Sequence, residues 1–263
     1  MKSSKKLFTG IILLAIFSLT FVVNSTLSAR DYYQIKVYTI KDKAQENSVE
    51  KYLEEAFLPA MHRVGIKKVG VFKPIADDEA AGTKIFVFIP LKKLSDIEKI
   101  ESKLAKDSEF QKKGADYINA SWEKPPYERI ESILIKAFAK MPEFGVPNHK
   151  TPASEQIYEL RSYQGPTEKM YRKKVEMFND AGEMEIFKEL DFQEVFYGEV
   201  ISGSEMPNLM YMTTFKDMKS HDEHWDAFRS HPSWEKLKNM EEYKHTVSHI
   251  NKYLMHPTEY SDI

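Results

Sequence analysis

The sequence predicts an α+β fold in which two tandem ferredoxin-like βαββαβ units close on each other as an intramolecular pseudo-dimer, and three observations predict it. The strand-like stretch YYQIKVY at 32–38 returns as IYELRSY at 157–163. The segments that follow keep the same order, at a spacing of 124–126 residues through most of the match, which chance does not readily produce. Between the two series lies AKMPEFGVPNHKTPASEQ at 139–156, whose Pro142, Pro147, Pro152 and Gly145 oppose regular structure and read as a linker.

Each element can be justified in turn. The stretches 32–38 and 157–163 alternate with period two, as half-buried strands do. Helical runs over 46–64 and 167–190 follow them. KKVGVFKPI at 67–75 and QEVFYGEVI at 193–201 are the second strands, and KIFVFIPLKKL at 84–94 and NLMYMTTFKDM at 208–218 the third. A second helical run ends at KDSEF, 106–110, in one copy and SHPSW, 230–234, in the other. The β-branched segments RIESILIKAF at 129–138 and TVSHINKYLM at 246–255 close the copies. The first unit is thus 31–138 and the second 157–263. A βαββαβ unit covers one sheet face with its two helices and leaves the other bare; two units can hide their bare faces against each other as a barrel.

Ahead of the first unit, a basic start with Lys2, Lys5 and Lys6 precedes an apolar run from Leu7 to Val23 and small residues up to Ala29. This is the pattern of a signal peptide over 1–29, so the chain is expected to be exported, periplasmic or extracellular, and to meet a membrane only through an uncleaved leader. Without those three lysines, 35 basic residues face 40 acidic ones. That balance, with no basic stripe, argues against nucleic acid as a partner. The absence of cysteine removes disulfides, thiolate metal sites and a thiol nucleophile.

The first-strand string YELRSY at 158–163, HPSW at 231–234 and the closing SHINKYLMHPTEY at 248–260 resemble the NIPSNAP family. The likeness is clear over 157–263. It is weaker in the first unit, where Lys36 stands for Arg161 and DSEF for HPSW. The resemblance implies a dimeric α+β barrel. It implies no particular reaction, because related barrels include cofactor-free monooxygenases, haem-degrading enzymes and plain binding proteins.

The chemistry-bearing stretch is SHDEHWDAFRSHPSW at 220–234, with three histidines and two tryptophans. At a spacing of 124, His221 falls on Ile97, His224 on Ile100, Trp225 on Glu101 and Phe228 on Leu104. Positions 97, 100 and 104 make the core-facing stripe of an amphipathic helix. Imidazole in place of isoleucine suggests a wetter, partly open space in the second unit and a filled one in the first. Ser162 for Val37 points the same way. If the face carrying Tyr158 and Ser162 looks toward the helices, those two residues with His221, His224 and Trp225 line one ligand-binding cavity. Glu159, Arg161 and Tyr163 then lie on the opposite face, with Glu159 and Arg161 as an internal ion pair. His231 is read as the cap of a helix beginning at Pro232. No ligand set for a metal is expected, since HDEH has neither zinc-protease spacing.

The leading expectation is therefore an exported protein that binds a small, largely apolar or aromatic ligand in the second unit, without a cofactor and possible as a homodimer. The rival is a cofactor-independent or haem-linked monooxygenase with His224 as base or ligand. A third reading is a non-enzymatic protein–protein adaptor.

Overall fold

A computed structural model describes residues 29–263. Residues 1–28, all but the last of the expected signal peptide, lie outside the described residues. Among the described residues eight strands form: β1 (Tyr32–Thr39), β2 (Gly70–Pro74), β3 (Lys84–Leu91), β4 (Arg129–Ala137), β5 (Ile157–Gln164), β6 (Gln193–Ser202), β7 (Asn208–Phe215) and β8 (His249–Pro257). They close into a barrel in the order β1-β3-β2-β8-β5-β7-β6-β4, every neighbouring pair antiparallel. Read within each half, the order is β4-β1-β3-β2 and β8-β5-β7-β6, so corresponding strands take corresponding places. Closure leaves no free sheet edge.

The two seams between halves are β2 with β8 and β4 with β6. At the second, Gly198 lies opposite Ala137, and a Cβ there would meet the Ile135 side chain at 2.3 Å. Only glycine lets these strands approach that closely. The lumen is solid: Tyr33, Phe72, Phe86, Phe88, Phe196 and Tyr158 are buried in it, with Phe88 stacked on Phe196 at 5.3 Å. Burying a large apolar side chain contributes about 1.5–3 kcal/mol, so this filling is the main adhesive between the halves.

Helices cover the outside. In the N-terminal half, α1 (Lys43–Tyr52) runs through a π turn (Leu53–Phe57) into α2 (Leu58–Val64), and α3 (Asp96–Lys106), α4 (Ser108–Lys113) and α5 (Ala115–Ile118) follow. In the C-terminal half stand α6 (Glu168–Asn179), α7 (Glu183–Glu189), α8 (Met218–Ser230) and α9 (Pro232–Lys238). Asp42, Thr167 and Asp217 cap α1, α6 and α8 by accepting from backbone N–H groups of the first turn. The run expected over 167–190 is two helices, because Gly182 adopts φ 101° and breaks it. The 139–156 segment holds no helix or strand, yet it is tied down: Gly145 N donates to Val195 O at 2.8 Å. A buried core therefore lies on each side of the sheet, one in the lumen and one under the helices of each half.

Candidate functional site

Side chains of a strand alternate between faces, so β5 serves two cores at once. Tyr158 and Leu160 point into the lumen, where the Tyr158 ring lies 4.7 Å from Phe72 and burial pushes its pKa up to about 12. Ser162 lies at the lumen's end, accepting from Asn208 Nδ2 at 2.8 Å and lining a small cavity with Val37 and Met210. Glu159, Arg161 and Tyr163 lie under the helices instead. The face assignment made from sequence is thus inverted, and Tyr158 and Ser162 do not share a cavity with His221, His224 and Trp225. The cause is physical: both faces of a closed barrel strand are buried, so alternation separates them without saying which is the lumen.

Under the helices a set of charges converges. Glu159 is 1% exposed, and its Oε2 accepts from Trp225 Nε1 at 2.6 Å. Its Oε1 lies 3.2 Å from Arg161 Nη1, the internal ion pair expected. The Arg161 guanidinium stacks on Trp225 at 4.6 Å and on Tyr163 at 5.4 Å. Burial would lower the Arg161 pKa, but Tyr211, Tyr163 and Glu159 hold it above its ordinary value. A second pair sits alongside, Lys174 Nζ to Glu183 Oε2 at 2.7 Å, with both side chains buried. Burial raises the Glu183 pKa against the pull of Lys174 and Arg161.

His221 joins this set from α8. Its Nε2 lies 3.3 Å from Glu159 Oε2, within ion-pair range but off the line of a hydrogen bond, and its Nδ1 is 2.8 Å from Asp222. Burial lowers the His221 pKa, and the Glu159 and Asp222 carboxylates outweigh it to hold the imidazole above its usual value. His224 is half-buried and packs edge-on against Phe192 at 5.2 Å and Phe215 at 5.6 Å. Its Nδ1 donates to Ser220 O at 2.6 Å, which leaves Nε2 as the basic nitrogen. Trp225 is 6% exposed among Phe187, Phe192 and Phe228. The two imidazoles therefore open no hole: aromatic rings fill the seam, and His221 is accommodated by a carboxylate. His231 caps α9 as expected, accepting from Ser233 N at 3.3 Å.

Three buried polar atoms around Glu159 have no hydrogen-bond partner among the described residues: Arg161 Nε, Thr213 Oγ1 and His221 Nε2. Thr213 is the direct cross-strand neighbour of Glu159 on β7. Each such atom costs about 1–3 kcal/mol if left unpaired. At the counterpart positions of the N-terminal half stand Lys36, Ile89 and Ile97, and Val49 and Leu58 replace Lys174 and Glu183. Sequence reasoning missed Thr213, Lys174 and Glu183. The same side-by-side spacing that singled out His221 would have found them.

Residues 158–262 match the family model described as NIPSNAP, while no curated protein matches the chain significantly. Among solved structures, a candidate monooxygenase from Lactobacillus acidophilus NCFM is 12% identical, with 87% of this chain and 94% of that one covered and a TM-score of 0.54. A second candidate monooxygenase, from Fusobacterium nucleatum, is 10% identical over 88% and 93%, with a TM-score of 0.55. An anthrone oxidase-like protein is 7% identical over 88% and 93%, with a TM-score of 0.51. At such identities the likeness shows the fold alone. The segment similar to NIPSNAP, 158–262, thus spans the C-terminal half, which closes against the N-terminal half of the chain in one α+β barrel.

Proposed function

We propose that the C-terminal half binds a small, largely apolar or aromatic ligand whose single polar end meets Arg161, Thr213 and His221, with Trp225 and His224 beside it. Because aromatic rings fill that space in the free protein, α8 moves outward to admit the ligand. The observation that carries this reading is that two buried polar atoms on residues neighbouring Glu159, Arg161 Nε and Thr213 Oγ1, have no hydrogen-bond partner among the described residues, while His221 Nε2 lies within ion-pair range of the carboxylate but outside hydrogen-bond geometry. Buried ion pairs contribute little net stability, and perturbed ionisable groups gather at functional sites. On this reading the two halves are a duplicated unit, of which the second acquired the site, and the leader carries the chain out of the cytoplasm.

Thermal unfolding with aromatic acids such as benzoate and indole-3-carboxylate, set against their neutral amides, tests it. A ligand bound at a hundred times its Kd stabilises by about 2.7 kcal/mol, a readily measured rise in melting temperature. Thr213→Val is the discriminating variant. Removing an unsatisfied hydroxyl is expected to leave the free protein as stable or stabler by up to about 1 kcal/mol, yet to weaken the ligand response. A ligand response unchanged in Thr213→Val and in Arg161→Gln would contradict the site.

A second reading rests on His224, whose bonded Nδ1 leaves Nε2 free to act as a base. In it the ligand is an acidic carbon compound of the anthrone kind, and His224 takes a proton from its methylene carbon. The carbanion adds dioxygen at that carbon, and the hydroperoxide loses water to leave a carbonyl, one oxygen atom ending in the product and one in water. Oxygen consumption that depends on an anthrone and disappears in His224→Ala would favour it over binding alone. A Soret shift with haemin, lost in the same variant, would favour a haem-linked form.

A further inference from the structure

The N-terminal half holds a cleft that belongs to no part of the site above. It opens between the end of α2 and α3, beside the last residues of β3, with a volume of about 390 Å³, within the usual size of small-molecule pockets. Val64, Ile66, Leu91, Ile100 and Phe144 give it an apolar floor, Phe144 coming from the 139–156 segment. Its rim carries five lysines, Lys67, Lys68, Lys92, Lys99 and Lys103, against two carboxylates, Asp31 and Asp96.

The carboxylates are already taken. Asp31 pairs with Lys92 at 3.0 Å and Asp96 with Lys99 at 3.3 Å. Among the described residues, Lys67, Lys68 and Lys103 have no carboxylate within ion-pair distance. Lys67 Nζ donates to His62 O at 2.6 Å and Lys103 Nζ to Val64 O at 3.5 Å, the carbonyls that end α2. These carbonyls hold two ammonium groups beside Lys68 without neutralising them. Gly65, in the left-handed region at φ 110°, turns the chain out of α2 so that Ile66 reaches the floor while Lys67 and Lys68 stay on the rim. An apolar floor under an excess of three positive charges suits one class of occupant.

We propose that this cleft is a binding site for a small anionic amphiphile, a molecule with an aliphatic or aromatic body and one carboxylate, sulfonate or phosphate head. The body lies on Ile66, Ile100 and Phe144, and the head sits among Lys67, Lys68 and Lys103. Selectivity for the sign of charge follows from the rim, and affinity falls with added salt because the lysines are exposed.

Calorimetric titration of the whole protein with octanoate and octyl phosphate, below their aggregation concentrations, tests this against octanol and octyltrimethylammonium. Both anions are expected to bind saturably with one site, at least tenfold more tightly than octanol, and the cation not at all. Lys68→Glu with Lys103→Glu is expected to weaken anion binding at least tenfold, while Lys68→Arg with Lys103→Arg retains it. These side chains are exposed, so the fold tolerates both pairs. Thr213→Val leaves this binding untouched, which separates it from ligand binding in the C-terminal half. Equal affinity for the cation, unchanged affinity in the charge-reversed pair, or no saturable binding would each overturn the proposal.

Discussion

Gln34, Val49 and Leu58 are buried in the N-terminal half, with Lys36 half-buried over Phe57. At the counterpart positions the C-terminal half places Glu159, Lys174, Glu183 and Arg161. The strands carrying Gln34, Lys36, Glu159 and Arg161 occupy matching places in one barrel, and α1 and α6, which carry Val49 and Lys174, begin at matching caps. One packing plan thus accepts either an almost apolar layer or a layer with two ion pairs. The difference teaches that the charges answer no demand of the fold. It also shows how a histidine can stand where the other half has an isoleucine without leaving a void: His221 matches Ile97 in position where Glu159 matches Gln34, so the ring has a carboxylate beside it.

Breaking this arrangement by parts ranks its members. The largest effect is expected from Glu159→Leu, which strands Arg161, the Trp225 N–H and His221 around an apolar side chain. Leaving a buried charge unpaired costs about 3–5 kcal/mol, visible as an equally large fall in unfolding free energy by urea titration. Trp225→Phe is next, since it keeps an aromatic ring and removes one hydrogen bond to a carboxylate. A loss of about 1.5–3 kcal/mol is expected from chemical denaturation, and a change near zero would mean that Glu159 is satisfied without the indole.

The smallest effect is a dependence on pH. The His221 pKa is raised on folding, so its contribution is complete below the unfolded value near 6.5 and is lost as pH rises through the folded one. Glu159 and Asp222 are the carboxylates that face it. The stability of the native sequence minus that of His221→Ile should therefore decline from pH 6 to pH 9. A difference that stays flat or grows would show that the imidazole is not held protonated.

Much of the architecture was legible beforehand. The alternating, strand-like segments and their near-constant spacing located the eight strands of the described residues to within a few residues, and YELRSY and the closing SHINKYLMHPTEY marked the half similar to NIPSNAP. The site was only partly legible. Tyr158 and Glu159 both sit on a strand buried on both sides, and period-two alternation carries no sign for inside. Lys174 and Glu183 fall on helices, where charged residues ordinarily face water, so neither stood out alone. His221 and Trp225 did stand out, but their partner Glu159 was placed on the far face. An imidazole on a buried stripe suggests space from sequence alone, whereas in the structure a carboxylate accommodates it.

The most direct test of the central claim is a double-mutant cycle on the Lys174–Glu183 pair, with Lys174→Met and Glu183→Leu measured singly and together by urea unfolding. Each single variant should lose about 3–5 kcal/mol, because the remaining charge is left buried and alone, whereas the double variant should return to within about 1 kcal/mol of the native protein or exceed it. A double variant destabilised by the sum of the two single losses would show instead that the barrel depends on this pair.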